Sequence, residues 1–223
     1  MAPDAPEPAK PPRRYRGLDP DERRADRRRR LIDAGFELYG TIGYQATTIT
    51  ALCREAGITT QHFYDEFGSR ENLLGAVFDE TVKRAAVQVA DSLDGASLDL
   101  EAQSRAGLGA FLHAMLDDPR GARILGLEVV GVSPEFEVRR REVLRDYAGV
   151  VARSAEDIQL QQGRLTRGTS FISLALVAGV NDSMIEWLHL DDKPPIDAVV
   201  AELVELFVLV GEHFATEPPP DAG

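Results

Sequence analysis

With 223 residues, 43% of them apolar and 28% charged, the chain can bury a sizeable core, which excludes chain-wide disorder. It carries 25 Lys+Arg against 37 Asp+Glu, and the net charge of −12 argues against a uniformly basic nucleic-acid binder. The single cysteine, Cys53, excludes an internal disulfide and fits a reducing, cytoplasmic setting.

Residues 1–18 are Pro-rich and lack periodic apolar positions, which predicts a disordered arm with no signal-peptide h-region. Order is expected from Asp19-Pro20-Asp21-Glu22, where Asp19 can cap, proline suits the first helical position and Glu22 falls three residues on. The helix that follows buries a stripe of Leu31, Ile32, Phe36 and Tyr39 and turns an arginine cluster, Arg23 to Arg30, outward. A second short helix is predicted from Thr47 or Thr48, with Ile49, Leu52, Cys53 and Ala56 on one face and Gly57 as its stop. Thr59 caps a third short helix reaching about Glu66, and Ser69 caps a fourth that buries Leu73, Leu74, Val77 and Phe78. Two short helices joined by a Gly-containing turn form a helix-turn-helix.

Beyond Asp91 longer helices are expected near 99–117, 120–132, 134–160, 168–189 and 196–215, broken at Pro119, Pro134, Gly163 and Pro194-Pro195. No stretch gives strand alternation, and the tail from Glu217 is Pro-rich. The longest apolar run, Phe171 to Val180, is half of the roughly 20 residues a bilayer requires, so no membrane association is expected. The fold class is therefore all-α. The expected divisions are an arm at 1–18, a DNA-binding bundle at 19–68, a connecting helix at 69–91, a regulatory and dimerisation domain at 92–216, and a tail at 217–223.

The run Gly43-Tyr44-Gln45-Ala46-Thr47-Thr48-Ile49, then Ala56-Gly57-Ile58-Thr59, Phe63-Tyr64, Phe67 and Ser69-Arg70-Glu71-Asn72-Leu73-Leu74 resembles the DNA-binding domain of the tetracycline-repressor (TetR) family. The resemblance covers about residues 26–80. It implies a ligand-responsive regulator, most often a repressor, binding double-stranded DNA as a homodimer. The charge distribution agrees: residues 1–84 hold 14 cations against 14 acids, so the negative excess lies in the second part, and an acidic body with a basic end approaches a polyanion end-on.

In a helix-turn-helix the N-terminal residues of the second helix face base edges. Thr59, Thr60, Gln61 and His62 are the candidates, since Gln can pair bidentately with adenine and Thr can meet a thymine methyl. Thr47 and Thr48 at a helix start, Tyr64, Arg70 and Arg28 are candidates for phosphate contacts, which set register while the Thr/Gln/His set reads sequence. The basic arm Arg13-Arg14-Tyr15-Arg16 is expected to follow the groove. Two acids, Asp65 and Glu66, depart from the family pattern; they are expected to face away, to pair with Arg54 or Arg70, or to be offset by the arginine cluster. The operator sequence therefore does not carry over from relatives.

Two late helices are apolar around much of their circumference and so need cover on more than one face. Phe171, Ala175, Ala178 and Gly179 of one, with Leu203, Phe207 and Val210 of the other, are the expected dimer interface. A small-molecule effector is expected among Phe111, Met115, Leu127, Phe136, Tyr147 and Trp187, with Asn181 as a polar anchor. The four histidines are scattered, with no metal pair, nucleophile motif or Gly-rich phosphate loop, so neither catalysis nor a cofactor or metal is expected. The competing reading is an α-helical partner-binding protein whose helix-turn-helix no longer reads DNA.

Overall fold

The structure, a computed structural model, describes residues 19–166 and 170–216. The basic arm, the C-terminal tail and the first two residues of the helix expected from 168 lie outside the described residues.

Helix α1 (Pro20–Thr41) starts as its sequence dictates, with Pro20 in the first turn and the Glu22 carboxylate accepting the Asp19 amide at 3.0 Å. Its inner face buries Leu31, Ala34 and Tyr39. Helix α2 (Ile49–Ala56) ends on Gly57 at φ +62°, and the Gly57 N–H closes back onto the Cys53 and Arg54 carbonyls. That left-handed turn is strained for any residue with a Cβ, and it sets the angle between α2 and α3 (Thr60–Glu66). Ser69 then caps α4 (Arg70–Asp94), while the Asn72 amide ties the turn by donating to the Phe67 carbonyl at 2.8 Å. Leu31, Tyr39, Leu52, Phe63, Leu73 and Leu74 are each sealed from solvent at the centre of these four helices. Each such side chain contributes about 1.5–3 kcal/mol by its burial.

The remaining helices extend this core. Helix α5 (Leu100–Leu116), capped by Asp99, packs on α4 and on α9 (Ile196–Phe214), and α7 (Pro134–Gln161), capped by Ser133, packs on α8 (Ser170–His189). The single helix expected near 120–132 is instead two short pieces, α6 (Pro119–Arg123) and a π-helical turn at Ile124–Glu128, followed by a turn through Gly131 at φ +71°. Close approach explains the break: a Cβ on Gly126 would stand 2.6 Å from the Ile185 side chain, so α8 lies directly on the backbone of that turn. A second departure is a two-residue antiparallel pair, β1 (Leu165–Thr166) with β2 (Ala215–Thr216), too short to leave an alternating pattern.

Helix α8 extends well beyond the apolar run Phe171 to Val180. Over Phe171–His189 it has the length and mean hydropathy of a membrane span. It lies along α7, however, with Asp182 and Glu186 exposed, so it is a bundle helix with a bare outer stripe.

Candidate nucleic-acid interface and effector cavity

The start of α3 projects from the bundle. Thr59, Thr60 and Gln61 are exposed, His62 is half-buried, and Tyr64 keeps 51% of its surface while its neighbour Phe63 is sealed in the core. The Thr59 hydroxyl caps the helix by accepting the His62 amide at 3.3 Å and also meets His62 Nδ1 at 3.1 Å, which fixes the imidazole against the helix start. Gln61 Nε2 donates to Asp65 at 2.9 Å, so one acid that looked unfavourable orients the amide expected to read a base. A seven-residue helix thus presents Thr60, Gln61 and Tyr64 to solvent, with Thr59 as its cap.

Glu66, the other acid, does not face outward. Its side chain is 2% exposed and accepts from Arg24 Nε at 3.1 Å and Arg27 Nη2 at 3.2 Å. The partners are therefore arginines of α1, not Arg54 or Arg70. Much of the arginine cluster is spent in the same way. Arg30 donates to the Ala56 and Gly57 carbonyls at the end of α2, Arg29 bonds Asp26 at 2.5 Å, and the Arg28 guanidinium lies 4.5 Å over the Phe67 ring. Arg30 and Arg28 thereby tie α1 to the helix-turn-helix, Arg28 while remaining exposed, whereas the Arg29 bond stays within α1.

Two expected phosphate ligands are corrected. Thr47 is fully buried and donates its hydroxyl to the Gly43 carbonyl at 2.7 Å; the cap of α2, and the exposed hydroxyl, belong to Thr48, which accepts the Ala51 amide at 3.1 Å. Arg70 is turned inward. Its Nη1 donates to the Tyr44 carbonyl at 3.1 Å and to that of Thr47, and its guanidinium sits 4.9 Å from the Tyr44 ring. From the other side, Glu128 of the π-helical turn accepts the Tyr44 amide at 2.6 Å and is itself held by Arg123 at 2.8 Å. The loop leading into α2 is thus clamped by Arg70 on one side and Glu128 on the other. Glu128 was not anticipated, because no local pattern reports a partner 84 residues away. Burial pushes the Tyr44 phenol above its ordinary range, opposed by Arg70, and pushes Tyr39 further in the same direction.

A cavity of about 170 Å³ lies among α4, α5, α7, α8 and α9, walled mainly by aliphatic and aromatic side chains. Phe111, Tyr147 and Asn181 line it as expected. Met115, Leu127, Phe136 and Trp187 do not. Met115 is buried beneath α6, Leu127 sits on the π-helical turn, and Phe136 packs edge-on against Phe78 at 5.6 Å. Trp187 donates its indole N–H to the Pro194 carbonyl at 2.9 Å in the α8–α9 connection. The lining side chains that sequence reasoning missed include Arg140, Ser154, Ile158 and Phe214. The Tyr147 hydroxyl points out of the cavity toward the Val82 carbonyl at 3.4 Å, and burial pushes its phenol up to about 12.

Of the residues expected at a dimer interface, Phe171 is 85% exposed, Ala175 and Gly179 are exposed, and Ala178 and Leu203 are half-buried. Phe207 and Val210 are corrected: both turn toward the cavity. Leu206 and Leu209 occupy the outer face of α9 in their place.

Comparison with known proteins agrees with this geometry. Residues 31–77 match the family model of bacterial regulatory proteins, tetR family. The chain is 28% identical over 112 residues to the HTH-type transcriptional regulator EthR of Mycolicibacterium smegmatis, an alignment spanning 50% of this chain and 51%, about half, of that relative. Among solved structures it shares its fold with the fatty acid degradation regulator FadR from Bacillus halodurans, with a TM-score of 0.71, 18% identity, and 86% and 97% of the two chains covered. It likewise matches FadR from Bacillus subtilis in complex with stearoyl-CoA, with a TM-score of 0.71, 18% identity, and 81% and 97% covered.

Proposed function

From the premise that this chain carries the DNA-binding domain of the tetR family, we propose that it is a homodimeric transcriptional regulator, a repressor, whose grip on a pseudo-palindromic operator changes when an apolar effector enters the cavity. The single observation that carries the reading is the outward face of α3, where Thr60, Gln61 and Tyr64 stand exposed on a helix anchored by Phe63. Residues 19–68 read DNA, α4 connects, and residues 92–216 take the effector and pair the subunits. Thr48, Thr59, His62 and Arg28 support α3 as phosphate or base contacts.

The exposed stripe of Phe171, Ala175 and Gly179 on α8 with Leu206 and Leu209 on α9 supports the dimer. An apolar patch of this kind on a soluble surface marks an interface. Two-fold pairing places two α3 helices on successive major-groove faces, about 34–36 Å apart. The stearoyl-CoA held by the FadR neighbour supports an apolar effector, as does the composition of the cavity wall. A ligand shifts DNA binding only if it favours one arrangement of the helices over the other. The clamp of Glu128 on Tyr44 gives such a shift a route, since the π-helical turn also carries the cavity residue Leu125.

The experiment is a mobility shift on DNA upstream of the protein's own gene, with wild-type protein, Gln61→Ala and Tyr64→Phe. Wild type is expected to discriminate that DNA from random duplex, and Gln61→Ala to lose at least tenfold in specific binding, as one bidentate base contact carries about 1–3 kcal/mol. Equal binding of both duplexes by wild type would favour the partner-binding reading instead.

A further inference from the structure

The cavity has a direction as well as a volume. Its lining positions on α7 recur at Arg140, Val143, Tyr147, Val151, Ser154 and Ile158, one per helical turn. At 1.5 Å per residue the cavity therefore follows α7 for ~27 Å. A compact apolar cavity of ~150 Å³ takes one benzene ring. A similar volume drawn out along five turns of helix admits a single flexible chain and excludes fused rings.

The two ends differ. One lies where α7 begins, toward the helix-turn-helix, as the Arg139–Asp79 ion pair and the Phe136–Phe78 contact between α7 and α4 establish. Here stands Arg140, the one charged residue lining the cavity among the described residues, with Asn181 of α8 also in the wall. Arg140 donates Nε and Nη2 to Glu137 at 3.0 and 2.9 Å and feels Asp182 as well, so its charge is largely offset. Those bonds engage Nε and Nη2, and the Asn181 amide makes a long contact with Asp182 at 3.5 Å. Such a pair suits a carbonyl or a single carboxylate better than a cluster of phosphates. At the far end, near the β1–β2 pair, the wall is Leu100, Ile158, Ile172 and Phe214. The polar side chains on that side carry no charge: Ser104, Ser154, Ser173 and Gln103, whose amide donates to the Ala96 and Ser97 carbonyls at 3.3 and 3.2 Å.

Resting on the reading that this cavity is the effector site, we propose that the effector is a long unbranched acyl compound, its oxygen-bearing end at Arg140 and Asn181 and its tail running toward Leu100 and Phe214. The head group then lies beside the helices that join the cavity to the DNA-reading bundle, and chain length is measured at the opposite end.

The test is direct titration of the purified full chain, without DNA, by calorimetry or displacement of a fluorescent fatty acid. The probes are palmitate, palmityl alcohol, octanoate, palmitoyl-CoA and cholesterol. Palmitate or palmitoyl-CoA is expected to bind at least tenfold more tightly than octanoate, and whichever binds better identifies the form of the head group. Arg140→Gln should weaken palmitate about tenfold and leave palmityl alcohol nearly unchanged. Ser154→Phe, which fills the tail end, should weaken palmitate and spare octanoate; Ser154→Leu serves if thermal melting shows the first variant unfolded. Octanoate binding as tightly as palmitate, competition by cholesterol, or equal loss of octanoate and palmitate in the Ser154 variants would overturn the proposal. Failure of every acyl probe while the mobility shift succeeds would overturn this proposal alone and leave the DNA-binding reading intact.

Discussion

The two ends of the molecule solve opposite problems. In the first four helices aromatic and aliphatic side chains fill the centre, and Arg24, Arg27 and Arg30 of α1 bond across to the helix-turn-helix. In the later helices a wall of apolar side chains faces an open cavity, and α8 and α9 leave leucines and a phenylalanine bare outside. Under the proposed function, a helix that enters a DNA groove in one orientation needs the first arrangement, and a body that admits a ligand and a second subunit needs the second.

The sharpest way to break that contrast is to truncate one aromatic residue on each side of it. Phe63→Ala should cost about 3–5 kcal/mol, read from chemical denaturation, because the side chain is sealed on every side. Phe111→Ala should cost only about 1–2 kcal/mol, since its ring already borders empty space and the wall can relax. Similar losses at the two sites would mean that the cavity wall is packed as tightly as the bundle.

Next in size is the ion-paired strut. Glu66→Gln removes the carboxylate that engages Arg24 and Arg27 and should cost about 1.5 kcal/mol, the range of a hydrogen bond to a charged group. The same variant should melt at a lower temperature, while a change at exposed Asp65, which accepts from Gln61 on the same short helix, should leave the melt nearly unmoved. On the outside, Leu209→Glu should leave monomer stability within about 0.5 kcal/mol, as for a surface substitution, yet shift sedimentation from dimer to monomer. A variant that remained dimeric would remove the α9 face from the interface.

The smallest effect is a pH dependence. His113 joins α5 to Asp197 of α9 and to Asp117, and hydrogen bonds to Asp197 first and Asp117 second raise its pKa. A raised folded pKa stabilises fully below the ordinary histidine value and loses that contribution as pH climbs through the folded one. His113→Gln should therefore narrow the difference in stability between mildly acidic and alkaline buffer by about 0.5 kcal/mol, the scale of an exposed ion pair.

The same contrast explains what could be read from the amino-acid order. Capping hydroxyls, the stop at Gly57 and the spacing of Leu52, Cys53 and Ala56 act within a few residues, so the helix-turn-helix was legible, down to Thr59 and Ser69 as caps. The choice between Thr47 and Thr48 was not, because either hydroxyl can cap and only the packed loop decides which is buried. The arginine cluster reads the same whether it faces phosphate or Glu66, and only the fold brings Glu66 beneath Arg24 and Arg27. Farther along, an apolar position on a helix reads alike whether it meets another side chain or a void. Tyr147 and Phe136 share a helix and a chemistry, yet only Tyr147 lines the cavity. Phe207 looked like an interface residue for the same reason. Glu128 had no signal at all until the π-helical turn placed it against Tyr44.

The most direct measurement is a hydroxyl-radical footprint of the full chain on its own upstream DNA. The account predicts two protected patches related by a two-fold axis and separated by about one helical turn or a multiple of it, both lost in Gln61→Ala. A single protected patch, or protection spread evenly along the duplex and indifferent to Gln61, would contradict it.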